Sequence, residues 1–288
     1  MDNPVQTEEI RGDFLRTTIH KEYCCGIDEF IKLYAYSLPE EIIVHLDIDV
    51  AFYKPMDHLY DAILFDKDSP QGIAARQKIE KERKEDVLPE KIGAFITRDW
   101  GQVAPSKFPP GYQAGFLVAR RDETILPEVI EIIKEGNYTE GLGNDVGWYN
   151  SGHGGYVGAK AMQGLMAYYY DHVRDDAVEL NMCRYNHMGM DTLWRSAPNF
   201  WRNKDLNGKC RNGRETCEQC KETPIVDIYN VHYTLCRKPW QCMAETGKGG
   251  KKASGGRGNA LDPIAVNPEL CLSLQRQWHS LRTDLEDK

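Results

Sequence analysis

No run of apolar residues in this 288-residue chain approaches the ~20 needed to cross a bilayer, and the opening MDNPVQTEEIRGDF carries no apolar leader. The expectation is a soluble chain, or a fragment whose targeting segment lies upstream. An excess of basic charge is lacking too. The chain holds 36 basic residues against 44 acidic ones, a net charge of −8, which excludes general polyanion binding and with it nucleic acid as the expected partner. The phosphate-loop pattern G-x-x-x-x-G-K-[ST] does not occur, even in the run GKGGKKASGGRG at 247–258, which therefore reads as a flexible linker without a nucleotide role. Only one C-x-x-C is present, at Cys217 and Cys220. A structural zinc site there stays a competing reading, and disulfides are favoured over it.

Cysteine itself is plentiful. Nine are present, and Cys210, Cys217, Cys220, Cys236 and Cys242 are clustered. Such clustering points to disulfides formed in an oxidising lumen. The triplet Asn137-Tyr138-Thr139 is an acceptor for N-glycans and agrees with that location. With 41% hydrophobic and 28% charged residues, the chain can bury one large core or two small ones.

The patterning alternates helix and strand. Asp28 caps a helix to about Leu38, and Pro39 stops it. Ile42–Leu46 is a short buried strand, and Val50–Tyr53 extends briefly after it. Asp57–Ile63 is a short helix. Residues 66–92 are highly charged, without an apolar stripe, and read as a solvated helix or a mobile excursion. Strands are expected at Gly93–Thr97, Tyr112–Ala119 and Ile225–Tyr233, and helices at Ile125–Ile133 and Ala159–Val173. A Gly-rich loop fills 136–158. From Pro268, the residues Leu270, Leu274, Trp278, Leu281 and Leu285 recur at helical spacing, as in a docking helix.

Chemistry concentrates where the first strand ends. Asp47 and Asp49 flank Ile48 at a strand end, where a bend lets both carboxylates face one point of a crevice. Hard oxygen ligands of that kind suit Mg²⁺ or Mn²⁺, and such ions in turn hold phosphates. A bare D-x-D is more often a turn cap. A second motif shifts that balance: His232 ends a late strand, and Lys238-Pro239-Trp240 follows six residues on. Taken singly, His232 reads as a hydrogen-bonded core imidazole and Lys32 as a snorkelling surface lysine.

Together these motifs resemble the retaining glycosyltransferases of family 8, the glycogenin and galactinol synthase type. Further segments resemble the same family: Lys32-Leu33, Lys54-Pro55-Met56-Asp57 with Leu59, Gln113-Ala114-Gly115, Gln163-Gly164-Leu165 and Tyr185-Asn186. The resemblance implies an α/β GT-A fold, a mainly parallel sheet flanked by helices, whose first βα units are missing. Residues 1–246 would form that domain, with a cysteine-bearing insert at 201–224, a linker at 247–260 and a C-terminal helix in 261–288.

The activity it implies is transfer of a hexosyl group from a nucleotide-diphosphate sugar, by family default a UDP-sugar, to a hydroxyl on a glycan, protein or small polyol. Asp47, Asp49 and His232 would hold Mn²⁺, with Mg²⁺ as the alternative ion. Lys238 would donate to the β-phosphate, and Lys32 would touch donor sugar or phosphate. Gln113 and Gln163 would line the sugar side, where Ala114 and Gly115 leave room; Gln163 and Lys238 would carry the catalytic roles. The implied location is the Golgi lumen, with the cytoplasm as alternative. The sequence departs from the family pattern at Leu235, where a Gly is usual, and at Met162, where an Asp is usual.

Two rival classes share the acidic pair. A phosphatase of the haloacid dehalogenase type would use Asp47 as nucleophile and Asp49 as acid/base partner, with Arg174-Asp175-Asp176 imitating its later acidic motif. That assignment leaves His232, Lys238, Pro239 and Trp240 without work. A non-catalytic scaffold with a degenerate transferase fold is the third class.

Overall fold

The computed structural model describes residues 2–19, 26–83, 87–100, 110–140, 151–153, 156, 161–190, 193, 208–234, 236, 238–240 and 268–287. In chain order the elements are a 3-10 turn (Thr7–Glu9), α1 (Asp13–Thr18), a 3-10 helix (Gly26–Ser37), β1 (Ile42–Leu46), β2 (Val50–Phe52), α2 (Asp57–Leu64), α3 (Pro70–Arg83), β3 (Ala94–Arg98) and β4 (Tyr112–Arg120). Then come α4 (Ile125–Glu135), β5 (Tyr138–Glu140), β6 (Ser151–His153), α5 (Met162–Tyr168), a π-helical turn (Tyr169–Arg174), β7 (Ala177–Glu179), two further 3-10 turns (Cys220–Glu222 and Ile225–Asp227), β8 (Asn230–His232) and α6 (Pro268–Glu286). They divide into two units, Met1–Leu46 with Met56–Leu180, and Asp47–Pro55 with Asn181–Lys288.

The first unit is built on a four-stranded sheet in the order β1-β4-β3-β7. β4 has a strand on each edge and is buried along almost its whole length, as its near-continuous apolar sequence predicts for a strand covered on both faces. It runs antiparallel to both β1 and β3, whereas β3 and β7 pair in parallel. The α/β class expected from the sequence is therefore what the fold shows, with one refinement. β1, β3 and β7 share a direction, but β4 is inserted between β1 and β3, so antiparallel pairings outnumber parallel ones among the described strands.

Helices supply the apolar cover. α4 turns Ile125, Val129 and Ile133 inwards at four-residue intervals and ends where Gly136 takes a left-handed φ of 62°. These residues join Phe30, Leu33, Ile43, Leu117, Leu165 and Tyr169 in one core. Arg98 ties the far end of β3 to its surroundings, 2.8 Å from Asp171 and 3.1 Å from Glu179. The charged stretch after α2 does form a helix, α3, which hides Gly72, Ala75 and Ile79. A hairpin of β5 and β6 lies within the stretch expected to be loop.

The second unit centres on β2 and β8, paired antiparallel with Val50 opposite His232. The expected strand Ile225–Tyr233 is shorter than its apolar pattern predicted, because a 3-10 turn occupies Ile225–Asp227 after Pro224. The backbone of His187 lines the other side of β8: its N–H donates to Asn230 O, and its carbonyl accepts from His232 N, both at 3.0 Å. Disulfides join Cys183 to Cys220, Cys210 to Cys217 and Cys236 to Cys271. Cys217 and Cys220 thus belong to different bridges, which removes the zinc reading of their spacing.

α6 docks through the first part of its predicted spacing, whereas Leu285 at its far end is exposed. Leu270 and Leu274 are buried with Val231 and Tyr233, and Trp278 packs against them. The hydroxyls of Tyr53 and Tyr233 both donate to Leu274 O, at 3.0 and 2.7 Å. The 247–258 run lies outside the described residues.

Candidate metal centre

The chain leaves β1 at Leu46 and makes a turn closed by Val50 N–H donating to Asp47 O at 3.2 Å. At its tip Ile48 is 96% exposed. The aspartates on either side turn away from that exposure, and β2 then carries the chain alongside β8. Because the register sets Val50 against His232, and Tyr233 N–H donates to Asp49 O at 2.9 Å, the imidazole arrives beside the acidic turn. His232 Nε2 stands 3.3 Å from Asp49 Oδ1 and 3.6 Å from Asp47 Oδ2. One ligand atom from each of Asp47, Asp49 and His232 lies within 4.8 Å of the other two.

These spacings fit a single ion. Octahedral ligation at ~2.1 Å sets neighbouring donors ~3.0 Å apart and opposite donors ~4.2 Å apart. Two carboxylates and one imidazole form a mixed oxygen–nitrogen set suited to a divalent first-row cation. The imidazole is almost fully buried, at 2% side-chain exposure, whereas Asp49 and Asp47 open progressively to solvent at 10% and 34%. The cluster thus has a protein side and an accessible side. Nδ1 of His232 is buried and has no hydrogen-bond partner among the described residues, so Nε2 is the nitrogen committed to the cluster.

Lys238 completes the group, its Nζ hydrogen-bonded to Asp49 Oδ2. Burial alone would raise the Asp49 carboxyl pKa, but the neighbouring His232 and Lys238 outweigh it and hold the carboxyl well below the usual carboxylate range. Asp49 is therefore an anion throughout the neutral range. Cys236, between His232 and Lys238 in sequence, is bridged to Cys271 of α6, which anchors the start of the segment carrying Lys238.

Asp47, Asp49, His232 and Lys238 are the predicted residues that come together, all in the second unit. The other five belong to the first. Lys32 lies on the 3-10 helix, 3.3 Å from Glu29 Oε1. Gln113 is buried on β4, its Oε1 accepting the Gly115 N–H at 2.7 Å, beside a half-buried Ala114. Gln163 is buried at the start of α5, and its Oε1 has no partner among the described residues. Glu29 links two of these places, because its second oxygen accepts the Met162 N–H at 3.1 Å. Its only sequence signal was the i,i+3 spacing to Lys32.

His187, without a role in the sequence reading, accepts the His232 N–H through its backbone carbonyl and is itself firmly held. Its Nδ1 accepts the Gly189 N–H at 3.0 Å, which leaves Nε2 to donate to Cys220 O at 2.9 Å. That arrangement holds a neutral imidazole in one tautomer. Tyr185 and Tyr229 stack at 4.5 Å, and Lys54 lies 4.4 Å over the Tyr229 ring. No local pattern would have shown these long-range supports.

The phosphatase rival fares poorly. Asp175 and Asp176 precede β7 rather than leaving a strand's exit, and Asp176 faces Arg174 at 3.5 Å within the first unit.

No family model matches the chain, and no curated protein matches it. Among solved structures it is similar to the crystal structure of mouse xyloside xylosyltransferase 1 in its apo form, at 12% sequence identity and a TM-score of 0.35, over 78% of this chain and 71% of that one. Likeness of that degree carries no argument about activity. What the chain itself shows is an α/β fold holding a largely buried Asp/Asp/His cluster able to grip a metal ion.

Proposed function

We propose that this chain is a metal-dependent retaining glycosyltransferase that moves a hexosyl group from a nucleotide-diphosphate sugar, taken to be a UDP-sugar, to an acceptor hydroxyl. One observation carries the proposal: Asp47, Asp49 and His232, drawn from opposite ends of the chain, converge with a lysine beside them. Asp47, Asp49 and His232 would hold the ion, and the imidazole in the set favours Mn²⁺ over Mg²⁺. When bound, the ion supplies Lewis-acid neutralisation of the charge that builds on the departing diphosphate. Lys238 adds a second positive charge on the same side and donates to a phosphate oxygen. Same-face attack by the acceptor needs no protein nucleophile, since the leaving phosphate takes the acceptor's proton. The roles of Lys32, Gln113, Ala114, Gly115 and Gln163 rest on the family resemblance, and the metal assignment does not depend on them.

Asp49→Asn tests the assignment. It removes one anionic ligand while keeping the side chain's shape, so Mn²⁺-dependent donor hydrolysis should disappear while circular dichroism stays unchanged. Undiminished hydrolysis in that variant rules the assignment out.

One observation favours the scaffold reading. Lys238 is ion-paired with Asp49, so one of the two carboxylates is already compensated without a metal. A structure-only domain could therefore keep this cluster without self-repulsion. Calorimetry separates the readings: Mn²⁺-dependent binding of UDP supports the transferase, and its absence leaves the scaffold.

A further inference from the structure

The site's preference among ligand forms follows from how Asp49 is shared; this inference rests on the metal assignment just proposed. Both oxygens of Asp49 are engaged. Oδ1 faces His232 Nε2 at 3.3 Å, and Oδ2 accepts the hydrogen bond from Lys238 Nζ. A free divalent cation entering the cluster meets an ammonium fixed on one of its two carboxylates. It must either bind beside that positive charge or displace it, and both weaken its hold. A diphosphate changes the balance, because its oxygens give the ammonium an alternative anion. Lys238 is built to make that exchange. Its side chain is 23% exposed and its stem has rotatable bonds, while Cys236, two residues earlier, is tied to Cys271.

We propose that Lys238 is a specificity-determining residue that makes this centre accept a metal–diphosphate chelate in preference to the free divalent cation. In the free protein the lysine occupies Asp49. When the chelate arrives, the phosphate draws the ammonium away, Asp49 becomes fully available, and the metal and the anion strengthen each other's binding. That coupling is reciprocal.

The test uses the full chain and Mn²⁺ followed by electron paramagnetic resonance, which reads free ion directly. Lys238→Gln should bind Mn²⁺ alone at least tenfold more tightly than wild type. Lys238→Arg, which keeps the charge, should stay as weak as wild type and so separates charge from altered folding. UDP should improve Mn²⁺ affinity at least tenfold less in Lys238→Gln than in wild type. Equal Mn²⁺ affinity in wild type and Lys238→Gln overturns the inference; if wild type still binds Mn²⁺ with UDP, the metal assignment survives that result. Absence of Mn²⁺ binding in every variant, with or without UDP, defeats the metal assignment and the inference with it.

Discussion

Replacing Cys236 and Cys271 by serine would strain the second unit where stability and chemistry meet. The bridge closes a stretch of 35 residues, and the loop-entropy relation assigns such a crosslink about 4 kcal/mol. Both sulfurs lie in the cluster of Val231, Tyr233, Leu270 and Leu274, so each serine hydroxyl that finds no partner there costs a further ~1 kcal/mol. Leu274 O still accepts from Tyr53 and Tyr233 in the variant, so the helix keeps two hydrogen bonds, each worth about 1 kcal/mol net, that hold it in place without the bridge. The helix should stay docked in the double variant, with stability lowered by about 4–6 kcal/mol. Urea unfolding followed by Trp278 fluorescence measures the loss, because that ring packs against the same cluster. Affinity for Mn²⁺ together with UDP should fall in parallel, since the bridge lies between His232 and Lys238, which hold the two halves of that chelate. A loss under about 1 kcal/mol together with unchanged metal affinity would refute the idea that this crosslink supports the centre.

Two other outcomes are expected. Asp122 is held down at about 2 by the hydrogen bond from Arg174, with help from the Thr124 backbone. A carboxyl lowered on folding stabilises above its unfolded value of about 3.9 and loses that contribution as pH falls towards its folded value. The stability gap between wild type and Asp122→Asn should therefore be full at pH 6 and closed near pH 2; a gap that ignores pH counts against the ion pair. Gly189→Ala should cost about 1–2 kcal/mol for a left-handed residue. The position has φ +76°, and a Cβ there would come within 3.2 Å of Cys236 Sγ. Thermal unfolding no different from wild type would show that this turn can relax.

Local pattern made much of the fold legible. β1 ends at Leu46 and α4 spans the expected apolar repeat because burial there follows periods that sequence displays directly. The convergence of His232 on Asp47 and Asp49 was also expected, on the strength of motif order. Pairing between distant segments was hidden. Nothing near Tyr112 says that β4 must enter between β1 and β3, and cysteine spacing cannot tell which thiols meet. Lys238 shows the same limit. The family resemblance implied a phosphate contact for it, and the fold adds a hydrogen bond to Asp49, 189 residues away, that no local pattern displays. His187 stayed silent because its hydrogen bonds reach Cys220 and Asn230, which no helix or strand period relates to it.

The split origin of the second unit has a consequence for how the protein is made. β2 emerges from the ribosome long before β8, and until β8 follows, its edge has no mate and its two acidic neighbours have no imidazole. The nascent chain must carry that short acidic segment as an unfinished loop through the synthesis of the whole first unit. Only translation past Cys271 supplies the helix that seals it. A chain ended between β7 and β8 would hold every strand of the four-stranded sheet and both aspartates, but would lack the imidazole.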